Sequence, residues 1–400
     1  MRLCSGILLL PLLAAQGKEG APKVEPGKVA QRRARNGWTY ALRIPKSYDG
    51  KRGARALLIL HGSNLSGRAY LETVVSAGWF GDDLLLGPDG PNPGSAEGAH
   101  NFDEGSAKGA AEVFEEVSRE WKVTKAFVGG HSQGGFLAWD VLMNHPDRFA
   151  GAFPMASGVW LRSEPESFGR DEGKARAQRE VAIAVIHGRA DPVVEFAQGL
   201  DAFRVFLRAG FARLRLFAPE TLGHEFALSP LPQAVDWLET MTTEEASVAL
   251  EAARAAAGEG RIGDAALLAA RAERLTKEEG LRRQAKEVAA AAEKAAAEAA
   301  KKLAPRIAAA RDDSWVAEFC AFRESCRGTK AAEPAFAAYD VLWKKQRARG
   351  QALFAEARAA LQRKEEAKAK EACARIVAEA FASREYFWAK DQLEGEKKGR

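Results

Sequence analysis

From residue 38 to residue 242 the chain alternates short, unbroken apolar runs with longer stretches of helical spacing, and few folds accommodate that alternation. Residues 56–60 form one such run and stop at His61-Gly62; residues 84–86 form another, ending in Gly87-Pro88-Asp89-Gly90. Residues 125–128, 149–155, 181–186 and 213–217 repeat the pattern. A strand without polar alternation is buried on both faces, as in a parallel sheet covered by helices. Helical spacing over residues 107–121, 136–143, 196–209 and 231–241 supplies the covering layers. Residues 38–44 read as a further strand, closed by a turn containing Pro45, Asp49 and Gly50. The predicted class is therefore α/β, with a mostly parallel sheet.

After Thr242 the texture changes. Ala, Glu, Lys and Arg dominate, only Pro305 and Pro334 interrupt, and no strand pattern survives. Residues 289–302 carry no large apolar side chain, so that helix is predicted to bury little. Later segments hold Trp315, Phe319 and Phe322, then Phe336, Tyr339 and Trp343, then Phe354, Phe381, Tyr386 and Trp388. These can pack as helical hairpins, and no repeat near 34 residues recurs cleanly. Residues 242–400 are predicted to be a helical bundle or short helical solenoid, whose helices offer a face for a protein or surface partner. At 400 residues the chain exceeds what one core usually organises, which agrees with two domains, 37–241 and 242–400, the first folding without the second.

Residues 1–17 begin with Arg2, continue through the apolar run 7–13 and end in the small residues Ala14, Ala15 and Gly17. That order is a cleavable signal peptide, and the run is too short to span a bilayer, so a secreted or periplasmic protein is expected. Residues 18–36, rich in Lys, Arg, Gly and Pro, read as an exposed leader or linker. With the signal gone, Cys320, Cys326 and Cys373 remain, so at most one intramolecular disulfide can form. The net charge is +5, and residues 241–400 hold all of the excess, 31 Lys and Arg against 26 Asp and Glu. Charges so intermingled describe a solvated helical surface, not a nucleic-acid site.

The chemistry is concentrated in Gly130-His131-Ser132-Gln133-Gly134. Gly-x-Ser-x-Gly arises by chance in roughly one chain in seven of this length. Its placement directly after a strand and before a helix is the decisive feature: a strand-to-helix elbow presents the serine in a strained turn. A serine hydroxyl needs a base to take its proton. After Ser132 the candidates are His145, His187 and His224, and His224 occupies the loop between the last strand and the last helix. The acid that orients it is expected at a strand end between the two; Asp191 is the choice, with Glu195 in reserve. Two backbone amides must receive the developing oxyanion. One belongs to Gln133; the other is assigned to Ser63, with Gly62 and Asn64 as near alternatives. His100, Phe102 and Trp160, on loops after strands, are expected to wall the substrate pocket.

In order, the 38–50 strand and turn, His61-Gly62, Pro88-Asp89-Gly90, Gly-His-Ser-Gln-Gly-Gly, His145-Pro-Asp-Arg-Phe-Ala-Gly, His187-Gly-x-x-Asp191 and Gly223-His224 resemble the α/β-hydrolase superfamily, in its secreted esterase branch. Polyhydroxybutyrate depolymerase-like and feruloyl esterase-like enzymes are the nearest groups, with the carboxylesterase/phospholipase group close by. The resemblance covers about residues 36–240 and implies a Ser132, Asp191, His224 triad acting on a small-molecule or polymeric ester, with no cofactor and no metal. Ser63-Asn64 stands where those relatives have a more glycine-rich loop. A peptidase of the same fold would need the same residues. An interaction protein with a scaffold-like hydrolase domain would not be expected to keep all three.

Overall fold

The computed structural model describes residues 24–160, 163, 180–226, 230–383 and 385–394. The signal segment and most of residues 161–179 lie outside them. In the N-terminal half, strands β1 (Val29–Arg33), β2 (Thr39–Arg43), β3 (Ala54–Leu60) and β4 (Leu84–Pro88) come first, with helix α1 (Gly67–Ser76) between β3 and β4. The short pair β5 (Asn92–Pro93) and β6 (His100–Asn101) precedes α2 (Ser106–Glu120). Then follow β7 (Val123–His131), α3 (Gln133–Asn144), β8 (Gly151–Met155), β9 (Ala182–Ile186), α4 (Phe196–Arg208), β10 (Leu214–Phe217) and α5 (Pro230–Met241).

Eight of these strands make one sheet in the order β1-β2-β4-β3-β7-β8-β9-β10. β1 and β2 run antiparallel at one edge, and β3 onward is parallel. Each predicted strand is present. β1 is the exception to the sequence reading: residues 29–33 are not a free leader but pair with β2 from Val29↔Arg43 to Arg33↔Thr39. Strand β1 is short, carries Gln31, Arg32 and Arg33 and has no apolar run, because an edge strand exposes one side to water. Helix α1 was also missed; Ser66 caps it, accepting from the Ala69 amide, and Tyr70, Leu71 and Val74 are buried beneath it.

Two cores flank the sheet. On one face α2, α3 and α4 pack Phe114, Trp139, Phe203 and Phe206 against Leu58, Val128 and Val185. Trp139 and Phe206 are fully enclosed, and burying a side chain of that size stabilises by about 1.5–3 kcal/mol. On the other face α1 and α5 pack Leu71, Leu231, Trp237 and Leu238 against Leu57, Phe127 and Ile186.

Helices α6 (Ala246–Gly258), α7 (Ile262–Leu275), α8 (Glu279–Ala308), α9 (Val316–Cys326), α10 (Glu333–Gln362), α11 (Glu366–Glu379) and α12 (Tyr386–Glu394) complete the chain. Ala253 of α6 and Leu268 and Ala269 of α7 belong to the same core as Trp237, Leu238 and Met241. The Trp237 indole donates to Asp264 of α7 at 3.2 Å, and the Arg271 guanidinium donates to the Thr242 carbonyl at 3.0 Å. Asp264, fully enclosed, is neutralised by Arg261 and Arg327. The helical half is thus built onto the sheet layer, and the clean separation read from composition misses this packing. Helix α8 also departs from expectation: Ala285, Ala292, Ala296, Ala300, Leu303 and Ile307 are buried along one stripe. Small residues repeating every three or four positions let neighbouring helices approach closely without large side chains. Cys320, Cys326 and Cys373 are free thiols.

Candidate active site

The C-terminal ends of β3, β7 and β8 lie side by side, with Leu60 opposite Gly130 and His131 opposite Met155. Between β3 and β7 the strand order reverses, and that crevice is where open parallel sheets bind ligands. Ser132 sits there, between β7 and α3, with φ 55° and ψ −120°. Such a backbone is costly for a residue with a Cβ and persists only where surrounding structure enforces it. The Ser132 amide donates to the Met155 carbonyl at 2.9 Å, holding the turn in place. The flanking glycines are required by contact: a Cβ on Gly134 would lie 2.2 Å from the Leu60 carbonyl oxygen, and one on Gly130 2.4 Å from that of Gly134.

The loop after β9 supplies Asp191, 7% exposed. Its Oδ1 accepts the Val193 and Val194 amides, each at 2.9 Å, which locks the carboxylate's orientation. The loop after β10 supplies His224, whose Nδ1 lies 2.8 Å from Asp191 Oδ2 and 3.1 Å from Oδ1. With Nδ1–H donating to the carboxylate, Nε2 of the neutral ring keeps its lone pair. Glu195, the reserve acid, is exposed at the start of α4 and makes no bond to His224. No Ser132–His224 hydrogen bond forms among the described residues; such contacts are often long before substrate binds. Residue 131 links the two: His131 Nε2 lies 2.9 Å from the His224 carbonyl oxygen, and the imidazole centroids are 4.8 Å apart.

His131 is the residue sequence reasoning missed, being read only as the variable position of the motif. Its Nδ1 lies 2.8 Å from the Tyr70 hydroxyl. A carbonyl can only accept, so Nε2 carries the proton and Nδ1 accepts from Tyr70. Burial first, and the nearby charge of His224 second, push its pKa down to about 4. Burial likewise raises the Tyr70 hydroxyl to about 12. Both groups therefore stay neutral and serve as a fixed hydrogen-bond chain, Tyr70 to His131 to the His224 backbone. His187 is fully buried, with Nε2 2.8 Å from the Val194 carbonyl oxygen, and burial lowers its pKa. It braces the Asp191 loop. His145 stands at the C-terminal end of α3, its amide donating to the Val141 carbonyl.

The two amides assigned to the oxyanion hole come from different loops, Gln133 after β7 and Ser63 after β3. Gln133 is the first residue of α3, where helix amides lack intrahelical acceptors. Its side chain clamps the 90–105 loop, accepting from the Phe102 amide at 3.0 Å and donating to the Phe102 carbonyl at 3.2 Å. After β3, Gly62 lies against His131: a Cβ there would meet its Nδ1 at 3.3 Å. Asn64, at φ 58°, donates its amide to Asn101 Oδ1 at 3.0 Å, so that N–H is spent. Its own Oδ1 accepts from the Ser95 amide at 3.0 Å and Asn101 Nδ2 at 3.2 Å, tying the β3 loop to the β5–β6 hairpin. No protein acceptor takes the Ser63 amide among the described residues.

The three pocket candidates part company. Phe102 is 5% exposed and stacks on His61 at 4.5 Å, which makes it core; it positions Gln133 and has almost no ring face left for a substrate. His100 is half-buried in the hairpin, Nδ1 3.0 Å from the Gly90 carbonyl oxygen. Trp160 is half-buried and stacks on Phe136 of α3 at 5.7 Å, one turn beyond the elbow.

Strand order and strained elbow together give the N-terminal half the α/β-hydrolase fold. Within that fold, residues 95–241 match the model of the phospholipase/carboxylesterase family. Similar solved structures include a thermostable esterase (18% identical, covering 53% of this chain and 62% of that one, TM-score 0.38). Others are a ferulic acid esterase (16%, 53% and 96%, TM-score 0.41) and acyl-protein thioesterase 2 of Zea mays (18%, 50% and 96%, TM-score 0.41). No curated protein matches the chain. Among the described residues, no helix is long and apolar enough to cross a membrane.

Proposed function

We propose that the chain is a serine hydrolase that cleaves carboxylic esters through an acyl-serine intermediate. The observation that carries this is the 2.8 Å bond from His224 Nδ1 to a buried, amide-locked Asp191, in the loop beside a serine held at φ 55°. Asp191 fixes the tautomer of His224 and stabilises its cation. His224 Nε2 takes the Ser132 proton as Oγ attacks the acyl carbon. The carbonyl oxygen becomes an oxyanion facing the amides of Gln133 and Ser63. Collapse of that intermediate breaks the ester bond, and His224 returns the proton to the departing alcohol. Water then repeats the sequence on the acyl-serine and releases the acid.

His100 and Trp160 wall the pocket in this scheme, and the segment 1–17 supports export. The substrate is a small-molecule or polymeric ester, and no metal or cofactor enters any step. Fluorophosphonate labelling tests the assignment: one covalent adduct is expected, mapping to Ser132, and Ser132→Ala should abolish both labelling and ester turnover. An adduct on another serine would refute it.

A further inference from the structure

A cavity of about 340 Å³ opens where α4 of the catalytic half meets α9 and α10 of the helical half. That volume lies in the range of small-molecule sites. None of the residues lining it belongs to the triad or the oxyanion loops. Its inner wall holds two guanidinium groups, Arg204 and Arg323, 6% and 7% exposed. Arg323 lies between the rings of Phe203 and Phe319, 5.8 Å from each centroid, and its Nε has no hydrogen-bond partner. Among the described residues no carboxylate pairs with it. Burial, and then the charge of Arg323, pull Arg204 down to about 10. A buried cation without a carboxylate beside it, as Arg323 is, is costly unless something compensates it. The remaining wall is aromatic, with Phe319, Phe336, Tyr339 and Trp343, and the last three come from one face of α10. Lys330, Glu333 and Asp340 complete the charged lining, giving three cations against two carboxylates.

We propose that this cavity binds a small organic monoanion, a carboxylate on a flat apolar body, with Arg323 receiving the carboxylate. A planar guanidinium matches a carboxylate in a two-pronged geometry, which a partner-free, ring-clamped Arg323 is arranged to offer. The aromatic faces take the apolar body. The excess of a single cation suits one negative charge, and Glu333 and Asp340 repel a dianion such as phosphate.

The test is titration of the full chain with 2-naphthoate, followed by calorimetry and by the fluorescence of Trp343 in the cavity wall. Its neutral analogue 2-naphthalenemethanol and inorganic phosphate serve as comparisons. Saturable, one-to-one binding of naphthoate is expected, at least tenfold tighter than either comparison. Arg323→Met should weaken it at least tenfold and leave ester turnover unchanged. Ala212→Phe, which fills the cavity and keeps both arginines, should abolish it and covers the case in which Arg323→Met does not fold. Equal binding of the neutral analogue, binding undiminished in either variant, or no binding at millimolar naphthoate would overturn the proposal.

Discussion

Replacing His131 with Phe keeps a ring in the space between Tyr70, His224 and Phe226 but removes a group that titrates. The native imidazole has a pKa near 4, against about 6.5 in the unfolded chain. A folded-state value below the unfolded one contributes stability that is complete above pH 6.5 and is lost as pH falls toward 4. At pH 5.0 the unfolded chain has taken up this proton and the native protein has not. With about 1.36 kcal/mol per pH unit, the step from pH 7.5 to 5.0 costs the wild type about 2 kcal/mol through this residue. His131→Phe loses two hydrogen bonds, so it should start about 1–3 kcal/mol less stable at pH 7.5. Its further loss on acidification should be about 2 kcal/mol smaller than that of the wild type. His61 and His187, whose pKa values burial also lowers, titrate in both proteins and cancel in the difference. Urea unfolding followed by tryptophan fluorescence at the two pH values measures all four stabilities. Equal acid sensitivity in the two proteins would show that His131 is protonated in the native state, and the fixed hydrogen-bond chain would fall with it.

Asp191→Asn should lower kcat by about 10⁴-fold with the thermal midpoint nearly unchanged, because the amide favours the wrong His224 tautomer; near-full activity would return the acid to Glu195. Ester turnover should survive chelator, since no metal takes part in the proposed steps; loss of activity in chelator with recovery on adding zinc would defeat the triad. A chain ending at Thr242 should unfold at a markedly lower temperature than the full protein, because Trp237, Leu238 and Met241 share their core with Ala253, Leu268 and Ala269; an unchanged midpoint in a thermal scan would show those contacts to be dispensable.

The sheet was legible because parallel strands buried on both faces leave continuous apolar runs, and each run from residue 56 onward became a strand. Strand β1 was not, since its pairing with β2 is made by backbone groups and its side chains are polar. The elbow and the loops carrying Asp191 and His224 could be placed from chain order, because that order follows from the topology. The roles of Asn64, Tyr70 and His131 depend on which loops the sheet brings together across its switch point. No spacing in the sequence encodes the 2.8 Å contact between residues 70 and 131.

Phe102 and helix α8 show the same lesson from opposite directions. An aromatic in a loop after a strand looked like a pocket wall, yet its ring fills core space against His61 and its backbone grips the Gln133 side chain. The stretch 289–302, without large apolar residues, looked exposed, yet its Ala292, Ala296 and Ala300 are buried. Composition reports how much apolar area a segment offers, while burial is decided by how closely its neighbours can approach. Alanine removes the side chains that would hold those neighbours away, and the Gln133 side chain holds Phe102 by its amide and carbonyl while its ring stacks on His61. The proposed catalytic residues follow the second rule more than the first. Ser132, Asp191 and His224 are set by backbone contacts at glycines, by amides locked onto a carboxylate and by a carbonyl held on His131. Substitutions at Gly130, Gly134 or His131 should therefore disturb the site without touching any of the three proposed reacting side chains.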